Sequence, residues 1–346
     1  SKPPPPPPPT SSPTKKPIST STKPPPPTPT TKPPTPTKTK FSTPTKALYT
    51  PTRTRAPPVL GGCNIFPSDN IWNTPVDKLP LDPNSNTYVN AIGASSHVHM
   101  DFGSGLWDGN KIGIPYNIVP FNQPKVPVSV TLYPSQSDFA SAPVPNGALV
   151  EPPGDAHMLV LQSGSCMLYE LYQAQQSGGQ WEASSTALFN LSSNALRPAG
   201  WTSADASGSA IFPGLVKWDE IASGEIRHAI RFTVPNTRAE YIWPATHWAT
   251  SYSQPSHPPM GQRFRLKASF DISTFSARMQ VLLRALKKYG MMVMDNGSAW
   301  YLSGSPDERW DNDELHTLDV IKGTDFEAVD VSGLMITATS GKARQS

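Results

Sequence analysis

Acidic residues are missing from the first 58 positions of this 346-residue chain: the first is Asp69, although 26 Asp and Glu follow. The same stretch has no glycine and two aromatics, Phe41 and Tyr49, so it has almost nothing with which to build a core. No run reaches the ~18 apolar residues a membrane span needs, which argues against a transmembrane anchor. Cysteine is scarce as well. Cys63 and Cys166 alone are too few for a disulfide-rich scaffold or a four-thiolate zinc site. No Gly-x-Ser-x-Gly elbow, phosphate loop, heptad run or internal repeat occurs, so the common nucleophile and nucleotide signatures are absent. Charged residues make up only 16%.

What the first 58 residues do have is proline (21 of the chain's 42), 21 Ser or Thr, and ten of the 29 Lys and Arg. The chain opens at Ser1 inside a polyproline run, which reads as a processed product. Proline fixes φ and disfavours helix in the preceding residue, so this region reads as an extended polyproline II arm. At ~3.1 Å per residue it spans ~180 Å, against a diameter of about 50 Å for the remaining body. Taking the formal +3 of the whole chain, the arm carries +10 and residues 59–346 carry −7. Cations on proline without interleaved aromatics, attached to an acidic body, argue against nucleic acid as a partner.

Phrases such as Lys32-Pro33-Pro34-Thr35-Pro36-Thr37 resemble the hydroxyproline-rich cell-wall glycoproteins of plants and green algae, the extensin and pherophorin type. The resemblance covers residues 1–58. It implies prolyl hydroxylation and O-linked sugars, with Pro24, Pro25, Thr28, Thr30, Pro33, Pro34, Thr35 and Thr37 as candidate positions, and an extracellular or cell-wall address. In the body, Asn190-Leu191-Ser192 and Asn296-Gly297-Ser298 are N-glycosylation acceptors by pattern. An even cysteine count in a chain of secreted character suggests one Cys63–Cys166 bridge; two unpaired buried thiols are the alternative.

From Val59 onward the composition is that of a folded domain, holding all nine tryptophans. His157–Gln162 and Cys166–Tyr172, joined by Ser-Gly-Ser, read as a hairpin, with a third strand from Trp181. Glu225–Val234 and Arg263–Phe270 alternate as half-buried strands do. One strong helix has Ser273 or Thr274 as its cap, Phe275, Met279, Leu282, Leu283 and Leu286 as its apolar face, and Gly290 as its stop. Met291–Asp295, a turn at Asn296-Gly297 and a strand over Ala299–Leu302 complete a helix–strand–turn–strand unit, and a short helix is expected near Asn312–Leu318. The fold class is therefore α+β: a β-rich globular domain over 59–346, antiparallel strands with one main helix, preceded by the arm over 1–58.

Three segments, Gly62–Asn73, Asn194–Asp205 and Leu286–Gly297, resemble a family of secreted, largely uncharacterised bacterial-type proteins, over most of residues 60–335. That resemblance implies export and a shared fold, not a reaction.

Chemistry is carried by scattered residues. His97-Val-His99-Met-Asp101 puts two imidazoles and a carboxylate on one face of an extended strand, a metal-like pattern without a partner ligand; an exposed polar edge strand is the alternative. Acid–base candidates are Asp155 and His157 at a strand start, Asp205, His247, Asp271 and Asp295. Paired carboxylates beside aromatics are what glycoside hydrolysis uses, though Asp residues also cap turns. Trp310–Glu314 is an acidic turn without the calcium-loop spacing. No cofactor is expected.

Together these point to a secreted structural glycoprotein that self-assembles, with copies of itself and covalent glycans as partners. The arm of one subunit docks on the next and an open heterologous contact grows a fibril. The alternative is a secreted carbohydrate-active enzyme or glycan-binding module with the arm as an O-glycosylated linker.

Overall fold

A computed structural model describes residues 56–152 and 154–345; apart from Ala56-Pro57-Pro58, the expected arm and its glycosylation and hydroxylation positions lie outside the described residues. In chain order the elements are β1 (Val59–Leu60), β2 (Cys63–Asn64), α1 (Ser85–Ile92), β3 (His99–Asp101), β4 (Leu106–Trp107), β5 (Asn110–Lys111), β6 (Tyr116–Val119), β7 (Val126–Val130) and β8 (Ser141–Ala142). Then come β9 (Met158–Gln162), β10 (Met167–Tyr172), β11 (Gln175–Ser177), β12 (Gln180–Ala183), β13 (Ser185–Asn190), α2 (Trp218–Ala222) and β14 (Ile230–Val234). The last are β15 (Arg263–Leu266), α3 (Ala277–Lys288), β16 (Met291–Asn296), β17 (Tyr301–Ser303), α4 (Asn312–His316) and β18 (Phe326–Val329).

Side-chain alternation explains how these elements stack. In β16, Met291 and Val293 point to a core shared with α1, α3 and α4, whereas Met292 and Met294 point the other way, to Leu159, Leu161, Leu168 and Phe189. In β9, Leu159 and Leu161 face that second core, while Met158 and Val160 face a third with Val128, Ala142 and Ala183. Helices, a six-stranded sheet (β18-β15-β16-β14-β17-β3), a four-stranded sheet (β13-β10-β9-β6) and a second four-stranded sheet (β11-β12-β7-β8) therefore lie in successive layers. Central strands buried on both faces account for the continuous apolar runs of β9 and β16.

The body is the expected β-rich α+β fold, with α3 as its main helix. The β9–β10 hairpin forms as read, Gln162 opposite Met167. The sheets are mixed: β6 with β9, β7 with β12, β14 with β16 and β3 with β17 run parallel. The Cys63–Cys166 bridge is present, S–S 2.09 Å, joining β2 to the turn between β9 and β10.

Three local expectations are corrected. The cap of α3 is Ser276, whose Oγ accepts from the Met279 N–H, so the helix starts after Phe275. Asn296-Gly297 does not make a hairpin, because β14 lies between β16 and β17. The reason is Trp300: fully buried, it stacks on Phe232 and Phe326, and its indole N–H donates to the Gly93 carbonyl at 2.8 Å. Burying that ring draws the chain across the end of β14. Finally, the strands expected at Glu225–Val234 and Arg263–Phe270 shrink to Ile230–Val234 and Arg263–Leu266.

Candidate functional site

On β14, Ile230, Phe232 and Val234 enter the helix-side core, which sends Arg231 to the opposite face, between the sheets. Ser303 of β17 shares that face, with Asp101 of β3 paired opposite it. Arg231 is buried and holds Asp205 through two bonds, Nε to Oδ2 at 2.9 Å and Nη2 to Oδ1 at 3.0 Å. Its Nη1 donates to Ser303 Oγ at 2.7 Å, and Nη2 also reaches Asp295 Oδ2 at 3.2 Å. One guanidinium thus stands between two carboxylates. Burial alone lowers the pKa of Arg231, and the Asp205 carboxylate more than reverses this, so the arginine stays charged. The second carboxylate is left short of compensation. Burial, then the charge of Asp205, push Asp295 up to about 7, Arg231 offsetting part of the rise. The Asp205 side chain is closed to solvent, whereas that of Asp295 is 21% exposed. Asp295 therefore holds its proton towards neutral pH more strongly than a free aspartate does, with part of its side chain open to solvent.

A second ion pair adjoins the first. His157 Nδ1 lies 2.5 Å from Glu151 Oε2, and the His157 backbone N–H donates to the same oxygen at 3.2 Å. Nε2 is 3.0 Å from the carbonyl of Ala204, the residue before Asp205. Both ring nitrogens face acceptors, the arrangement of an imidazolium. Burial pulls the His157 pKa down, but the charge and hydrogen bond of Glu151 outweigh it, and the ring titrates at about 9. Burial raises Glu151, and the charge of His157 more than offsets it, for a net lowering. Behind them Glu170, on β10, accepts from the Ile211 and Phe212 N–H groups; burial pushes it up to about 7 despite those bonds. The Tyr172 ring lies 5.8 Å from His157, with exposed Asp155 close by. Burial raises the Tyr172 phenol, and the Asp155 charge adds to the rise.

Next to Glu151 opens a cavity of about 500 Å3, lined by Thr131, Val150, Ala156, Gln173, Glu182 and Ser184 among others. Two of its residues, Ala156 (φ 46°) and Gln173 (φ 51°), hold left-handed backbone without being glycine. They belong to adjoining segments: the Gln173 N–H donates to the Asp155 carbonyl and the Ala174 N–H to the Ala156 carbonyl, at 2.8 and 2.9 Å.

Of the sequence candidates, Asp155, His157, Asp205 and Asp295 come together here. His247 sits at the margin, its Nδ1 2.8 Å from the carbonyl of Ala206. Asp271 is elsewhere, on an exposed turn, accepting from the Ser273 N–H. The His97, His99, Asp101 pattern is divided: the His97 ring meets the Asp319 carbonyl, the His99 ring packs 4.3 Å from Tyr301, and Asp101 belongs to the Arg231 face. Burial raises Asp101, and His99 pulls it part of the way back. Among the described residues no three His, Cys, Asp or Glu side chains group as a metal site. Asn190 is exposed at the end of β13; half-buried Asn296 accepts from Thr237 Oγ1 at 2.9 Å.

Sequence reasoning missed Arg231, Glu151 and Glu170. Glu170 carried a signal, a lone acid inside Met-Leu-Tyr-Glu-Leu-Tyr. Arg231 carried none, because in an alternating strand it looks like any solvent-facing cation. Comparison with known proteins finds no matching family model, no similar curated protein and no similar solved structure.

Proposed function

We propose that this chain is an extracellular structural glycoprotein that self-assembles into a fibril, its Pro/Thr/Lys arm docking on the bodies of neighbouring copies. The observation that carries the reading is the division of charge, +10 on residues 1–58 against −7 on the rest. A stiff proline-rich segment loses little entropy on docking and favours aromatic surfaces, and the body presents Trp107, Phe121 and Tyr252 to solvent. Ala56, Pro57 and Pro58 share a pocket with Lys217, Asp219, Glu220, Glu225, Arg227 and His228, and the Ala56 carbonyl accepts from Arg227 Nη1 at 3.1 Å. The Cys63–Cys166 disulfide fits an oxidising compartment. No helix among the described residues is long and apolar enough to cross a membrane. Electron microscopy of the full chain beside a chain lacking residues 1–58 tests the proposal: filaments are expected from the first alone.

A second reading, a body that acts on glycans with the arm as a spacer, is favoured by the Asp205–Arg231–Asp295 bridge. An acid that keeps its proton near pH 7 beside an ionised carboxylate is the pairing that glycosidic-bond cleavage requires. This reading expects turnover on a glycan panel that is lost in Asp295→Asn; no turnover on any glycan contradicts it.

A further inference from the structure

The cavity beside Glu151 has a chemistry of its own. Among the described residues its lining contains no lysine or arginine, and so lacks the counter-charge that a phosphate, sulfate or uronate needs. Among the described residues the lining has no aromatic side chain and Val150 as its one sizeable aliphatic, so a lipid or a flat apolar ligand has little surface to bury against. What lines it is polar and neutral-to-acidic: Thr131, Glu151, Gln173, Gln175, Glu182 and Ser184, over a floor of small residues. At about 500 Å3 it falls within the range of small-molecule sites.

The hydrogen-bonding groups left open form a pattern. Both recorded bonds to Glu151 go to Oε2, from His157, so Oε1 has no protein partner among the described residues. Gln173 Oε1 accepts from Ser184 Oγ at 2.5 Å, leaving the two amide hydrogens on Nε2. Glu182 Oε2 takes Gln175 Nε2 at 3.5 Å, leaving Oε1. Acceptor, donor and acceptor around one cavity complement neighbouring hydroxyls, each of which both donates and accepts. His157, a cation below pH 9 or so, neutralises Glu151, which leaves Glu182 as the other carboxylate among the described lining residues.

These groups are also held in place. Glu151 is fixed by two bonds to one residue. Gln173 is fixed by its backbone bond to Asp155 and its side-chain bond to Ser184, in a left-handed conformation costing roughly 1 kcal/mol or more. Ala156, across the same wall, carries the same kind of strain. Strain of this sort collects where a backbone is shaped for a ligand.

We propose that this cavity is a binding subsite for a neutral saccharide, with Glu151, Gln173 and Glu182 reading adjacent hydroxyls. It deepens the reading of the body as a glycan-acting domain and is independent of arm-driven assembly. Binding without turnover sinks catalysis while leaving the subsite standing.

The test is calorimetric titration of the full chain with cellotriose, arabinotriose and galactobiose. Trigalacturonate, a glucosamine trimer and glycerol serve as anionic, cationic and simple-polyol comparisons. At least one neutral oligosaccharide is expected to bind, and Glu182→Gln and Gln173→Glu each weaken it roughly tenfold. Glu182→Gln is near-isosteric at a half-exposed position, so an unchanged melting temperature shows that the loss is one of binding. Three results overturn the proposal: no neutral saccharide bound up to about 10 mM, binding indifferent to both variants, or a preference for the charged trimers.

Discussion

Arg231, Asp205 and Asp295 show how one buried cation sets unequal roles for two acids. From Arg231, Asp205 takes the bidentate pair and has no exposure; Asp295 takes a single longer bond and keeps a window to solvent. Removing a partner from the closed pair strands a buried charge, so Asp205→Asn is expected to lower unfolding free energy by about 3–5 kcal/mol, read by denaturant titration at pH 7. Asp295→Asn has the opposite tendency at alkaline pH, where the native carboxyl must ionise beside Asp205. The pH dependence follows from the same groups. Asp295 and Glu170 have folded pKa values raised to about 7, so their contribution is complete below the unfolded carboxylate range and is lost as pH rises towards 7. His157, raised to about 9, contributes fully below an unfolded value of about 6.5 and loses that contribution as pH rises through 9. Glu151, lowered, runs the other way and weakens only on acidification. Stability measured from pH 6 to 10 should therefore fall, and His157→Gln should flatten the limb near pH 9. A flat profile in the parent chain contradicts the ion-pair assignment.

At the scale of elements, the ends of strands and helices matter more than their middles. Gly290 follows α3 at φ 65°, and a Cβ there would run into the Phe264 carbonyl of β15. Gly290→Ala is accordingly expected to cost at least about 1 kcal/mol, measured as a drop in the thermal midpoint. The disulfide closes a 103-residue separation between β2 and the β9–β10 turn. On the chain-entropy relation its loss in the Cys63→Ser, Cys166→Ser double variant costs about 4–5 kcal/mol. How much of this was legible in the sequence depends on range. The α3 face, the β9–β10 hairpin and the buried run of β16 were readable, because periodicity and turn residues are local signals. The insertion of β14 between β16 and β17 was not, since it rests on Trp300 packing against Phe232 and Phe326, residues far apart in sequence. The site divides likewise. Asp155, His157, Asp205 and Asp295 were nameable as titratable residues at strand ends or in loops, but Arg231, which joins two of them, was hidden by an ordinary alternating pattern. Asp271, equally plausible by type, proves to be a turn acceptor.

For the whole molecule the central claim is that the two compositions in this chain are complementary. On the proposed reading, an arm with ten cations and no acid is drawn to the acidic body of a neighbouring copy within a Debye length of about 8 Å at physiological salt. Assembly built on that attraction weakens as salt rises, so the concentration needed for filaments should increase with ionic strength. The polar cavity and the Asp205–Arg231–Asp295 bridge are formed by residues of the body, so the subsite proposal does not depend on assembly. The measurement that tests the claim most directly is electron microscopy of the full chain beside the same protein lacking residues 1–58. The account predicts filaments from the complete chain and monodisperse particles without the arm. Filaments that persist without residues 1–58, or single particles from both, would contradict it.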